Sequence, residues 1–152
     1  MVYDHTQRAW LLPAITLPIV AVSLGSVVLG DSLPGVVWVL VLVGVAVFTW
    51  ILITFSSLRA RVGAGVLAVA FGAGWPRRRV ALDRVESVRI VRNRWWYGFG
   101  IRLIPGGWLW NVWGLDAVEL SLDSGKVFRI GSDEPEQLAA AIALAAGRNL
   151  SA

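Results

Sequence analysis

Hydrophobic positions run almost unbroken through the first third of the chain and then change to alternation. Between Ala9 and Leu58 the single charge is Asp31, which separates one uncharged run, Ala9 to Gly30, from another, Ser32 to Leu58. A hydrocarbon core about 30 Å thick needs roughly 20 apolar residues at about 1.5 Å each, so each run is long enough to cross one. The expected spans are Trp10 to Gly30, with Pro13 and Pro18 near its start, and Val36 to Phe55. Asp31-Ser32-Leu33-Pro34-Gly35 is short and rich in turn formers, which predicts a tight antiparallel reversal. A cleaved secretory signal over Trp10 to Ser26 fits less well, because a signal core is typically about 7 to 15 residues long.

After Phe55 the hydrophobic period becomes two. Leu58, Ala60 and Val62 alternate with Arg59 and Arg61, and Gly63-Ala64-Gly65 turns the chain into Val66 to Phe71, where Leu67, Val69 and Phe71 share a face. Further strands are expected at Arg77 to Leu82, Val85 to Arg92 and Gly100 to Ile104. A hairpin follows, Val118 to Leu122 and Lys126 to Ile130 around Asp123-Ser124-Gly125, with glycine at the left-handed position. Asp133 with Glu136 three residues on, and Pro135 between them, predicts a helix over 133–147, with Gly147 closing it and Leu138, Ile142 and Ala145 on its apolar stripe. The expected fold class is therefore a two-helix transmembrane hairpin followed by a mainly-β small barrel of six or seven antiparallel strands with a C-terminal capping helix. It divides the chain into a leader (1–9), the hairpin (10–55) and a β domain (56–152).

Charge decides the orientation. Cytoplasmic flanks of membrane spans collect Arg and Lys; here Arg8 precedes the first run, Arg59 and Arg61 follow the second, and the connecting link holds neither. Both termini are expected in the cytoplasm, with the chain in a bacterial inner membrane. Trp10, Trp38 and Trp50 suit interfacial anchoring. From Arg59 to Arg102 there are ten arginines against Asp83 and Glu86, an excess of eight, whereas Leu103 to Ala152 has three basic residues against six acids. Thirteen Arg to one Lys, among abundant Ala, Gly and Val, reads as GC-biased bacterial coding.

The candidate chemistry is that of contact. The chain has no cysteine, and His5 is its one histidine, which leaves little material for thiolate or imidazole metal sites and nucleophilic catalysis. No phosphate-cradling glycine loop or nucleophile elbow is present, and structural roles suffice for Asp116, Glu119, Asp123, Asp133, Glu134 and Glu136, so no enzyme, cofactor or metal is expected. Arg77-Arg78-Arg79 is the densest basic run; alternation puts Arg77 and Arg79 on one face and Arg78 on the other. With Arg59, Arg61, Arg92, Arg94, Trp95 and Trp96 it forms the expected contact with anionic headgroups. The competing reading is a solvated, charge-protected strand edge, or charge that only sets topology. Trp108, Trp110 and Trp113 either form an exposed apolar patch for a partner or belong to the core. Nothing in the sequence resembles a nucleic-acid-binding signature.

This element order, with Tyr97-Gly98-Phe99-Gly100-Ile101-Arg102, Gly107-Trp108-Leu109-Trp110-Asn111-Val112, Asp116-Ala117-Val118-Glu119-Leu120 and Phe128-Arg129-Ile130-Gly131-Ser132-Asp133-Glu134-Pro135, resembles the membrane-tethered bacterial pleckstrin-homology-like proteins. The resemblance covers Trp10 to Gly147. It implies a pleckstrin-homology-like domain facing the cytoplasm and carries no ligand or reaction with it; no phosphoinositide motif maps residue by residue. The functional expectation is a non-enzymatic membrane protein that binds anionic lipid, a membrane-protein partner, or both. The alternative is an accessory subunit or homo-oligomer without lipid specificity.

Overall fold

The chain was described from a computed structural model, which covers residues 2–9, 11–29 and 34–147. The elements are β1 (Tyr3–Arg8), α1 (Leu11–Leu29), α2 (Gly35–Phe55), β2 (Ser57–Gly63), β3 (Val66–Phe71), β4 (Arg77–Ala81), β5 (Val85–Arg92), β6 (Gly100–Ile104), β7 (Gly107–Asn111), β8 (Asp116–Leu122), β9 (Val127–Gly131) and α3 (Pro135–Ala146). Single 3-10 turns occupy Leu82–Arg84 and Trp95–Tyr97.

The strands form two sheets, one ordered β1-β2-β3-β4 and one ordered β5-β8-β9-β7-β6. Alternation assigns the inward residues as expected. Leu58, Ala60, Val62, Leu67, Val69, Phe71 and Val80 of the first sheet share one buried core with Val88, Trp110, Val118, Leu120, Phe128 and Ile130 of the second. Leu138, Ala141 and Ile142 of α3 join that core, and Gly147 closes the helix in the left-handed conformation.

Three expectations are corrected. The β part is two sheets holding nine strands among the described residues, not a single barrel of six or seven. Nor is it wholly antiparallel, because β7 runs parallel to β9. Gly107 makes that pairing possible, since a Cβ there would collide with the Val127 carbonyl. Second, the two-span hairpin gives way to one candidate span. Gly35–Phe55 is the only helix among the described residues long and apolar enough to cross a membrane. The Asp31–Leu33 part of the expected link, Trp10 and Gly30 lie outside the described residues.

Third, most of the expected leader is a strand. β1 pairs antiparallel with β2 from Tyr3↔Val62 to Arg8↔Ser57, and the Ala9 N–H donates to the Ser56 carbonyl at 2.8 Å. The helical segment is thus an insertion between two paired strands. The cap of α3 also differs. Asp133 turns to His5, with Oδ1 2.8 Å from Nε2, and the Ser132 hydroxyl accepts from the Glu134 N–H instead, so the helix starts at Pro135.

Candidate anion-binding face

The first sheet has its inner face in the core and its outer face open. On that outer face β2 carries Arg59 and Arg61, β3 carries Ala68 and Ala70, and β4 carries Arg77 and Arg79. The register aligns them in two rungs, Arg59–Ala70–Arg77 nearer α2 and Arg61–Ala68–Arg79 farther from it. Alanine on the middle strand leaves a trough between two rows of guanidinium groups. Two adjoining grooves of about 400 and 340 Å³ occupy it, sharing Arg61, Ala68 and Arg79.

The trough is unevenly neutralised. Asp4 of β1 accepts from Arg59 Nε and Nη2, both at 2.6 Å, and lies 3.4 Å from Arg61 Nε. The doubly hydrogen-bonded Arg59 guanidinium holds the Asp4 carboxyl below its ordinary range. Arg77 and Arg79 have no carboxylate partner among the described residues. Arg78 points the other way, as alternation requires, with its guanidinium carbon 4.4 Å from the Phe128 ring centre; burial lowers its pKa from the ordinary value.

The near end of this face is fastened to α2. The Gly72 N–H donates to the Ser57 carbonyl at 3.0 Å, and a Cβ on Gly72 would come 2.6 Å from the Thr54 carbonyl oxygen, a backbone approach that only glycine permits at φ +47°. Trp75, in the same loop, stacks on Trp50 of α2 with ring centres 6.4 Å apart. An exposed tryptophan pair therefore flanks the Arg59–Arg77 rung where the apolar helix ends.

The other expected contact residues lie on the second sheet, so the set does not form one face. Arg92 ends β5, 3.9 Å from Asp116, and Arg94 sits over Trp96 at 4.9 Å. Trp95 is 77% exposed and Trp96 56%. This loop is on the helix side of the sheet: Asn93 N–H donates to Leu115, and Gln7 Nε2 donates to the nearby Trp113 carbonyl at 2.8 Å.

The three tryptophans of the expected partner patch also separate. Trp110 is core, against Phe71 and Phe128, whereas Trp108 remains exposed opposite Leu103 on β6. Trp113 stacks on Phe99 at 5.4 Å. Sequence reasoning missed Asp4, Trp75 and Phe99. Asp4 could have been found only by recognising Tyr3–Arg8 as a strand, and those six residues carry no apolar alternation.

Glu119, assigned a structural role from sequence, lies beneath the Asn93 loop. It is aligned with Arg89 on β5 and Arg129 on β9 and accepts from them at 2.9 and 2.5 Å. Arg129 also donates to Asn93 Oδ1 at 3.3 Å. No protein-family model matches the chain, and the search of curated proteins finds no match.

Proposed function

We propose that this protein is a membrane-anchored, non-enzymatic binding module whose basic sheet face engages anionic lipid headgroups on the side where α2 ends. One observation carries the reading: Arg77, without a carboxylate partner among the described residues, sits on the rung that begins four residues beyond Phe55. Four extended residues reach at most about 14 Å, and a long arginine can extend back toward a headgroup zone about 5 to 8 Å deep. The Trp50–Trp75 pair has the amphipathic character favoured at that boundary.

Arg8, Arg59 and Arg61 favour the cytoplasmic leaflet of a bacterial inner membrane, where anionic lipid gives each nearby basic residue about 1 kcal/mol. Pairing of β1 with β2 keeps the N-terminal strand on the same side as the module.

The chain has no cysteine of its own, so a nitroxide on an introduced Ala70→Cys reports the near rung alone. In nanodiscs containing the full chain, collision of that label with a headgroup-chelated nickel lipid is expected to rise when neutral lipid is partly replaced by anionic lipid. It is expected to fall again in high salt. Equal collision rates in neutral and anionic discs at low salt would remove the lipid role.

Leu103, 74% exposed, stands opposite the exposed Trp108 and favours a second reading, an accessory subunit or homo-oligomer. On that reading the double change Leu103→Ser and Trp108→Ser lowers the particle mass of the full chain in detergent or releases a co-purifying membrane protein. The lipid reading expects neither.

A further inference from the structure

On the membrane-contact reading the two rungs of the arginine trough stand at different distances from the end of α2, and so from the bilayer. Arg61 lies two residues farther along extended β2 from α2 than Arg59, about 7 Å at a strand rise of about 3.4 Å per residue. Headgroups extend only about 5 to 8 Å beyond the hydrocarbon core. A far rung built only for membrane contact would therefore sit beyond most of its target.

Its construction fits a discrete ligand. Adjacent strands lie about 4.8 Å apart, so Arg61 and Arg79 leave backbones about 10 Å apart and flank Ala68, whose methyl leaves the space between them open. The two grooves join at these three residues; one continues past Gly63, Ala64 and Val66, the other past Ala70 and Arg77. Volumes of about 400 and 340 Å³ fall within the roughly 300 to 1,000 Å³ range of small-molecule sites. Arg79 has all its donors unclaimed by carboxylates, and Asp4 engages Arg61 only through Nε at 3.4 Å. Guanidinium forks so placed suit the tetrahedral oxygens of phosphate, which accept paired N–H donors.

We infer that Arg61 and Arg79, over the Ala68 floor, form a binding site for a phosphate group carried by a small soluble molecule reaching the trough from the aqueous side. This deepens the membrane-contact reading, on which it rests: the near rung faces lipid and the far rung faces solution. Charge complementarity selects the anion, and the distance from α2 selects the soluble source.

The test uses the full chain in neutral-lipid nanodiscs, with an environment-sensitive dye on Ala64→Cys beside the groove. Inorganic phosphate is titrated against potassium chloride of equal ionic strength, and a parallel series replaces neutral lipid with phosphatidic acid. The expected result is a saturable response to inorganic phosphate that weakens at least fivefold in Arg79→Gln and changes less than twofold in Lys126→Gln, a basic residue outside both grooves. Ala68→Glu, which puts a carboxylate between the two arginines on an accessible face, is expected to abolish the response while the circular dichroism spectrum is retained. The inference is overturned by a response that chloride reproduces, by equal losses in Lys126→Gln and Arg79→Gln, or by a response to phosphatidic acid alone. Any of these results leaves the Ala70 label's dependence on anionic lipid intact, so failure here is distinguishable from failure of the membrane reading.

Discussion

Removal of the Glu119 carboxylate is expected to destabilise the β module more than removal of any other charged group, and its cost can be worked from the surroundings. The carboxylate is 6% exposed and sits in one rung between Arg89 and Arg129, with oxygen-to-nitrogen distances of 2.9 and 2.5 Å. Taking one partner out of a buried ion pair costs about 3 to 5 kcal/mol, because the remaining charge stays desolvated. Arg89 is more than half exposed, so water screens its share, while Arg129 is largely covered and hydrogen-bonded to Asn93. For Glu119→Leu we therefore expect about 2 to 3 kcal/mol, below that range because the exposed partner is discounted.

At about 4 to 8 °C per kcal/mol for a module of this size, the near-ultraviolet melting midpoint should fall by about 8 to 24 °C. The double change Glu119→Leu with Arg129→Met removes both desolvated charges and should recover to within about 1 kcal/mol of the parent. A double variant as unstable as the sum of the two singles would refute the reasoning, as would a Glu119→Leu chain melting with the parent.

The same group fixes an acid limb. Burial pushes the Glu119 carboxyl up, but Arg129 and Arg89 outweigh that and hold it below the ordinary carboxylate range. A carboxylate depressed in the folded state binds its proton more readily when unfolded. Its stabilisation is therefore complete above the ordinary value near 4.3 and is lost as pH falls through the lower folded value. Glu119→Gln should flatten that part of the stability curve and leave the neutral region parallel to the parent.

Other perturbations test the face and its supports. Arg77→Ala should weaken near-rung docking to anionic nanodiscs about fivefold, the equivalent of about 1 kcal/mol, and the difference should disappear in about 1 M salt, where the screening length is about 3 Å. Asp4→Asn should strengthen docking by releasing Arg59, read as more nickel-lipid collision at Ala70→Cys in anionic discs and no change in neutral ones. Gly107→Ala sets a methyl against the Val127 carbonyl and should cost more than about 3 kcal/mol, seen as a melting-point drop beyond that of an ordinary substitution.

The inward and outward assignments were legible because period two is local. Leu58, Ala60 and Val62 against Arg59 and Arg61, and Arg78 with Val80 against Arg77 and Arg79, follow from strand geometry whatever the partner strand is. Pairing was not legible, because it depends on distant backbone. The β7–β9 alignment rests on a missing Cβ at Gly107, and β1 offers Tyr3, His5 and Gln7 as its inward set. His5 is accommodated by Asp133 and Glu134 and Gln7 by the Trp113 carbonyl, all more than 100 residues away. Trp108 and Trp110 show the remaining limit. They share a strand face, yet only Trp110 falls over Phe71 and Phe128, so equal periodicity gives unequal burial.

For the proposed membrane contact, the helical insertion supplies a reason why a face made mostly of arginine and alanine would suffice. A single linker between α2 and a free domain would let the sheet take many orientations, and each docking event would have to overcome that freedom. Here the chain enters the helical segment from β1 and leaves it into β2, strands joined in one ladder up to Arg8↔Ser57 and closed by the Ala9–Ser56 hydrogen bond. Gly72 adds a third attachment against Thr54, and Trp75 a fourth against Trp50. The near arginine rung is consequently held at a fixed offset from the end of the apolar helix, with its orientation set during folding. In the proposed docking, charge energies of about 1 kcal/mol per residue would then suffice, because little motion remains to be lost. On the proposed membrane contact, the same rigidity holds the far rung beyond the near one, so two chemically similar arginine pairs on one sheet would meet different surroundings.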